Sequence, residues 1–294
     1  MDGGAKVARP ESLQVIRTFA KRNGPRIFAG ALAALSSSHT AAAETRYFDH
    51  RDREYLYEHQ HRGGSALLPE AASRDAPLPL VVFLHGTNST AELHLWLGGG
   101  RYDLRPLVAR LIGAGTVRPF VLAAPSQTKH AARPRTLWTG FELAHFVEDV
   151  ASATRDAVEI DRSRVIFMGH SGAGCNPRGG LASEFGMEGT LSPLVLVSID
   201  PCLDEEMGGV FARRPAAVPL SVLWQSALWA RAPDRFWSAL QENRPPERVD
   251  SMTNLSVPGS NPHDAIVRIA FERTLRALLP NDSQPAADVE TVPK

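Results

Sequence analysis

The middle of the sequence alternates short apolar runs with segments in which apolar residues recur at a helical spacing. The five apolar runs span residues 80–84, 120–124, 164–168, 194–198 and 220–224. Runs without polar alternation are typical of strands that are buried on both faces of a sheet. Apolar residues at i, i+3, i+4 and i+7 predict helices at 104–111 and 143–150, and a similar pattern predicts a last helix at 267–278.

This alternation restricts the fold. Repeated strand–helix–strand units need right-handed crossovers, which build a mostly parallel sheet with helices on both faces. We therefore predict an α/β fold with a mostly parallel central sheet in a single domain, residues 44–280. Residues Tyr47 to His61 are predicted to add an antiparallel pair at the sheet edge. Residues 281–294 are rich in Pro, Asp and Ala, and they are predicted to form a disordered tail.

The N-terminal segment, residues 1–43, has the pattern of a secretory signal peptide. Basic residues predominate before residue 27, an apolar run follows at Ile27–Leu35, and Ala41-Ala42-Ala43 precedes Glu44. This pattern predicts a secreted or periplasmic protein. The alternative is an N-terminal extension of a cytoplasmic protein. No segment approaches about 18 continuous apolar residues, so we expect no membrane span.

The overall charge restricts the class of partner. Lys plus Arg and Asp plus Glu each number 32 among the 294 residues, so the formal net charge is zero. Nothing in this balance favours nucleic acid or an anionic membrane surface. We expect a small-molecule partner and no nucleic acid.

Polar residues follow the apolar runs at the points where the predicted strands end. Ligands of parallel sheets bind at the carboxyl ends of the strands, so these positions are the candidate site. The segments concerned are His85-Gly86-Thr87-Asn88, Gly169-His170-Ser171-Gly172-Ala173, Asp200-Pro201-Cys202, and Asn261-Pro262-His263-Asp264 before the last helix.

The segment around Ser171 resembles the nucleophile elbow of the α/β-hydrolase superfamily. In this turn the chain passes at once from a strand towards a helix, which strains the serine and brings the residues two before and two after it into contact. Gly169 and Ala173 are small enough for that contact. Pro177 predicts that the helix after the elbow is kinked or starts late. The resemblance implies that Ser171 is the nucleophile.

The same resemblance implies the base and the acid. His263 suits the base, because the family's chain order of serine, acid and histidine ends there. The superfamily usually places the acid after the strand at 220–224, but Gln225 stands there. Some lipase-like members carry the acid one strand earlier, which implies Asp200. Asp204 and Asp250 are the reserves, and an Asx turn at a strand end is the other interpretation of Asp200.

The family binds the negative oxygen of the tetrahedral intermediate through two backbone N–H groups, which the resemblance assigns to Gly172 and Thr87. His170 and Asn88 are the predicted substrate-binding residues, and His85 is expected to shape its turn. His59 and His61 alternate on a predicted edge strand without a third ligand, so we interpret them as surface residues and expect no metal site.

Two further features leave alternatives open. Cys175 and Cys202 follow neighbouring predicted strands, so they form either a disulfide or two buried thiols. The segment 126–139 is basic and contains an aromatic residue, so it either binds an anionic part of a substrate or is simply solvated. The residues that suggest this patch are Lys129, His130, Arg133, Arg135 and Trp138.

Taken together, the motifs predict a carboxylesterase or lipase-like enzyme that uses Ser171, His263 and Asp200 and forms an acyl-enzyme without a cofactor. The expected partner is a small-molecule ester. The alternatives are a peptidase or amidase, an acyltransferase, or a non-catalytic binding protein with the same fold. The patterns predict no particular oligomeric state.

Overall fold

The computed structural model describes residues 43–50, 63–70, 72, 74–88, 103–126, 133–183, 185, 191–227, 233–242 and 244–281. All of them lie in one compact unit of the chain, residues 41–294. Residues 1–42 and 282–294 lie outside the described part, so the predicted signal peptide and tail stay predictions. The interpretation of His59 and His61 as surface residues also lies outside it.

Eight strands form one sheet. They are β1 (Glu44–Asp49), β2 (Gly63–Leu68), β3 (Leu78–Leu84), β4 (Val121–Pro125), β5 (Ile160–His170), β6 (Val195–Ile199), β7 (Leu220–Trp224) and β8 (Asp250–Asn254). Their order across the sheet is β1-β2-β4-β3-β5-β6-β7-β8. The β1–β2 and β2–β4 pairs are antiparallel, and every other neighbouring pair is parallel. The predicted, mostly parallel sheet is confirmed.

The two edges of the sheet differ from the prediction. An antiparallel pair does close one edge, but its second strand, β2, begins at Gly63, beyond the predicted span. β2 opens with two glycines, and the ring of Phe48 on β1 lies where a side chain at Gly64 would be. Glycine has low strand propensity, so the sequence pattern did not predict a strand at the position of β2. The other edge, β8, was missed because its residues are mostly polar and half-exposed.

Within the described ranges the chain forms five α-helices. They are α1 (Arg105–Gly113), α2 (Leu143–Thr154), α3 (Glu205–Ala212), α4 (Pro233–Gln241) and α5 (Pro262–Leu278). The apolar spacing predicted α1, α2 and α5. It missed α3 and α4. Gly208 in α3 faces the carbonyl oxygen of Phe236 in α4 so closely that a side chain would clash with it. None of the helices in the described residues is long and apolar enough to cross a membrane.

The central strand β3 shows why the apolar runs lack polar alternation. Leu80, Val82 and Leu84 face one side of the sheet and pack in the core that includes residues of α2, α3 and α4. Val81 and Phe83 face the other side and pack in the core that includes residues of α1 and α5. Because both faces of the sheet are covered by helices, neither set of side chains reaches solvent.

Candidate active site

Ser171 lies on a sharp turn directly after β5. Its φ is 52°, in the left-handed region that non-glycine residues rarely adopt. A side-chain carbon added at Gly169 would lie 2.9 Å from Cβ of Ala173, so the residues two before and two after the serine are in contact. The predicted need for small residues at these positions is confirmed. The turn places Ser171 at the carboxyl end of the central strands.

The chain after the elbow departs from the predicted helix. A single 3₁₀ turn covers Ser171–Gly174, and no α-helix is present between residues 171 and 183. Nδ2 of Asn176, the residue before Pro177, donates to the carbonyl oxygen of Leu137 at 2.7 Å. The backbone N–H of Gly180 donates to the carbonyl oxygen of Trp138 at 3.1 Å. The elbow is therefore tied to the segment before α2, and no α-helix follows it up to residue 183.

His263 and Asp200 meet beside Ser171. His263 is the second residue of α5, and its Nε2 lies 2.8 Å from Oγ of Ser171. Its Nδ1 lies 2.5 Å from Oδ2 of Asp200. Because a carboxylate can only accept, Nδ1–H donates to Asp200, which leaves Nε2 as the acceptor for the serine hydroxyl. The Asp200 side chain is fully buried, whereas that of His263 is 21% exposed.

Asp200 occupies the turn that follows β6, and its φ of 49° is also left-handed. Its backbone N–H donates to the carbonyl oxygen of Leu223 on β7 at 2.7 Å, which ties the turn to the next strand. Gln225, directly after β7, donates to the Asp200 carboxylate through its side chain at 3.0 Å. In the sequence Gln225 only marks the missing acid after β7, and the signal for its role is a polar residue directly after a buried apolar run.

The two reserve acids have other contacts. Asp204 caps the start of α3, where its side chain accepts from the backbone N–H of Met207 at 3.0 Å. Asp250 lies at the amino end of β8 and pairs with the buried Arg214 and Arg248. The carboxyl ends of the strands carry the site, so the position of Asp250 excludes it as a partner of His263. The structure places Asp200, and neither reserve acid, against His263.

His170, the last residue of β5, lies behind His263. Its Nε2 donates to the carbonyl oxygen of His263 at 2.9 Å, and the two ring centroids are 4.6 Å apart. His170 is buried, with 3% of its surface exposed. Burial, together with the charge of His263, lowers the pKa of His170 to about 3. This neutral ring supports the backbone that carries His263, and its predicted contact with substrate stays a prediction.

The segment after β3 lies against the elbow. A side-chain carbon added at Gly86 would lie 2.8 Å from Cβ of Ser171, and one added at Gly172 would lie 3.5 Å from the backbone nitrogen of Thr87. The backbones of Thr87 and Gly172, the two predicted oxyanion donors, are therefore close neighbours. Asn88, the residue after Thr87, is buried, with 4% of its surface exposed.

Two residues of the basic segment 126–139, Arg135 and Trp138, make contacts within the chain. Arg135 pairs with Asp204 and Glu206 at 2.6 and 2.9 Å, so acidic groups of the chain already use its charge. Trp138 is buried, and its Nε1 donates to the carbonyl oxygen of His85 at 2.8 Å. This indole anchors the segment that leads to Thr87, a role that the sequence did not reveal. Lys129 and His130 lie outside the described residues.

A disulfide joins Cys175 and Cys202. It connects the residue four positions after Ser171 with the residue two positions after Asp200. Sγ of Cys175 lies 3.3 Å from the carbonyl oxygen of Ser171 and accepts from the backbone N–H of Cys202 at 3.0 Å. Of the two states that the sequence left open, the structure contains the disulfide. It links the turns that carry the serine and the carboxylate.

An imidazole held between a hydroxyl and a buried carboxylate can take the hydroxyl proton, which turns a poor nucleophile into an effective one. Two backbone N–H groups near the hydroxyl can stabilise negative charge on an attacked carbonyl.

Comparisons with known proteins agree on the fold. No protein-family model matches the sequence, and a search of curated proteins finds no match. Among solved structures, a ferulic acid esterase is similar with a TM-score of 0.55 at 13% identity, covering 81% of this chain and 97% of that chain. A mutant of the feruloyl esterase module from Clostridium thermocellum, complexed with sinapinate, is similar with a TM-score of 0.54 at 9% identity, covering 84% and 91%.

At such low identity the likeness concerns the fold alone. The strand order, the helices on both faces and the elbow after β5 agree with it. This protein therefore has the α/β-hydrolase fold.

Proposed function

We propose that this protein is a serine hydrolase that cleaves a carboxylic ester through an acyl-enzyme intermediate. The observation that carries the proposal is the continuous hydrogen-bond chain from Ser171 Oγ through His263 to Asp200, with distances of 2.8 and 2.5 Å. These three groups come from the turn after β5, the turn after β6 and the start of α5, and they meet in the order that proton transfer from a serine requires.

In the first half of the reaction, Oγ of Ser171 attacks the ester carbonyl carbon while its proton passes to Nε2 of His263. The carbonyl oxygen becomes negative and accepts from the backbone N–H groups of Gly172 and Thr87. When the tetrahedral intermediate collapses, the bond to the leaving alcohol breaks and that alcohol takes the proton from Nε2. The Asp200 carboxylate stabilises the imidazolium that exists between these two steps.

In the second half, water replaces the alcohol. It gives a proton to Nε2 and attacks the acyl carbon, and collapse of the second tetrahedral intermediate returns the proton to Ser171 Oγ and releases the carboxylic acid. Support for an ester substrate comes from the structures similar in fold, which are feruloyl esterases. Aromatic esters such as methyl ferulate and methyl sinapinate therefore belong in the first substrate panel, together with short nitrophenyl esters and a peptide anilide.

The test is labelling by a fluorophosphonate probe, with the labelled residue located by mass spectrometry. Wild-type protein should be labelled at Ser171, and Ser171→Ala and His263→Ala should abolish both labelling and ester turnover. Ser163→Ala is the matched control, because Ser163 lies in an exposed part of the chain and hydrogen-bonds Asp161. A folded wild-type protein that neither reacts with the probe nor turns over any ester would refute the proposal.

The disulfide also bears on the cellular location of the protein. Disulfides persist in oxidising environments, so Cys175–Cys202 favours the secreted or periplasmic location that the N-terminal pattern predicts. Expression of the full chain in a bacterium that exports proteins, followed by mass determination of the product, tests this: export predicts cleavage near residue 43, whereas an uncleaved cytoplasmic product would contradict it.

A further inference from the structure

Gln225 has an unusual setting for an amide side chain. It follows β7 directly and is 1% exposed. Its Nε2 donates to Oδ2 of Asp200 at 3.0 Å, and its backbone N–H donates to Oδ1 of the same carboxylate at 3.3 Å. One residue therefore supplies a donor to each oxygen of the buried carboxylate.

The orientation of the Gln225 amide is fixed at its other end. Oε1 accepts from the backbone N–H of Ala227 at 2.8 Å, and a backbone N–H can only donate. The oxygen of the amide must therefore face Ala227, which leaves the NH₂ group to face Asp200. The amide cannot turn over without placing two acceptors or two donors against each other.

Oδ2 of Asp200 is the oxygen on which Nε2 of Gln225 and Nδ1 of His263 both converge, at 3.0 and 2.5 Å. Asp200 sits on a strained turn, and its carboxylate could rotate about the last side-chain bond. Two donors from Gln225 prevent this rotation, because each oxygen already has a partner in the observed orientation. The carboxylate thus presents Oδ2 to the imidazole before substrate arrives.

We infer that Gln225 is a positioning residue, which orients the Asp200 carboxylate towards His263 by donating to both of its oxygens. The inference rests on the proposed hydrolase function, since its readout is turnover. The titratable groups that face this carboxylate include His263 from the start of α5 and His170 from the end of β5.

Two nearly isosteric variants separate a hydrogen-bonding role from a packing role. Gln225→Met fills the space without donating. Gln225→Glu donates only while its carboxylic acid is protonated, and after ionisation it places a second negative charge beside Asp200. The chain offers a matched control in Gln241, whose Nε2 donates to Oδ2 of Asp250 at 3.0 Å. Asp250 pairs with Arg214 and Arg248, away from the site. Gln241→Met and Gln241→Glu make the same changes there.

The measurement is kcat and KM for a nitrophenyl ester across the pH range in which each variant stays folded. Gln225→Met should lower kcat by about tenfold with little change in KM, because a hydrogen bond to a charged group is lost from the positioning of the acid. Gln225→Glu should lose activity progressively relative to wild type as the pH rises, because ionisation removes its donor. The Gln241 variants should follow the wild-type profile.

The outcomes are distinguishable. If the Gln225 variants fold and keep the wild-type kcat and pH profile, or if they change only in parallel with the Gln241 variants, the positioning role is overturned while the hydrolase proposal stands. If the wild type itself turns over no ester and Ser171 does not react with the probe, both proposals fail. Should Gln225→Met fail to fold, the pH dependence of Gln225→Glu decides the question alone.

Discussion

Oδ2 of Asp200 and Nδ1 of His263 lie 2.5 Å apart although the two residues are 63 positions apart in the chain. The contact forms because the turn after β6 and the start of α5 meet at the carboxyl edge of the sheet. It also fixes the imidazole tautomer: the proton is on Nδ1, and the unprotonated Nε2 faces the serine hydroxyl.

Replacement of Asp200 by Asn should lower kcat by about 10⁴-fold, because the amide can donate to Nδ1 and favour the wrong tautomer. The fold should persist, since the side chain keeps its shape. Steady-state kinetics with a nitrophenyl ester check this. Asp204→Asn is the control: Asn also caps a helix well, so that variant should keep the wild-type kcat. Equal kcat in the two variants would contradict the assignment of the acid.

Removal of the disulfide should affect both stability and turnover. A cross-link between residues 27 positions apart contributes about 3.5 kcal/mol by the loop-entropy relation, so Cys175→Ser combined with Cys202→Ser should lower the free energy of unfolding by about that amount. We also expect a lower kcat, because the turns that carry Ser171 and Asp200 lose their covalent link. Urea denaturation and kinetics measure the two effects.

The same double variant is the control for reduction. A reducing agent should lower the free energy of unfolding of the wild-type protein and leave that of the double variant unchanged. Equal sensitivity of the two proteins, or none in the wild type, would contradict a stabilising role for the bond.

The buried His170 should make stability depend on pH. Its folded pKa of about 3 lies below the value of about 6.5 in the unfolded chain, so the unfolded state binds the proton first as the pH falls. The contribution is fully present above pH 6.5 and is lost as the pH falls towards 3. Between pH 7 and pH 5 this group alone should reduce the free energy of unfolding by about 2 kcal/mol.

His170→Gln isolates this effect, because the amide still offers a donor to the carbonyl oxygen of His263 but does not titrate. Urea denaturation of both proteins at pH 7 and pH 5 should show the smaller loss in the variant. Identical losses would mean that His170 is not held neutral.

Asp250 should stabilise the fold and play no part in turnover. Its side chain and that of Arg214 are fully buried, and that of Arg248 is 2% exposed. Burial, with repulsion from Arg248, lowers the pKa of Arg214 to about 9. Asp250→Asn leaves these two arginines without a counter-charge, so the free energy of unfolding should fall by about 3–5 kcal/mol.

Thermal and urea unfolding measure that loss, and active-site titration with the fluorophosphonate probe gives turnover per folded molecule. Turnover per labelled serine should match the wild type. A selective loss of turnover with unchanged stability would instead place Asp250 in the site.

The sequence by itself determined the local features whose physics is local. The five apolar runs identified β3 to β7, because a strand covered on both faces must be apolar throughout. The Gly-His-Ser-Gly-Ala segment identified the elbow, because a sharp turn with a strained serine needs small residues at Gly169 and Ala173. β8 escaped because its residues are mostly polar and half-exposed. α4 buries only Phe236 and Leu240, and the apolar spacing predicted neither α3 nor α4.

Only the tertiary structure decided which distant groups meet. Asp200 and Asp204 follow β6, whereas Asp250 is the first residue of β8. Because β8 was not predicted from the sequence, only the structure shows that Asp250 lies at the amino end of a strand, away from the site. The donors from Gln225, the anchoring of His85 by Trp138 and the closure of the disulfide likewise depend on contacts between separate turns. Spacing rules describe one segment at a time, whereas these contacts arise from the packing of several strand ends at one edge of the sheet.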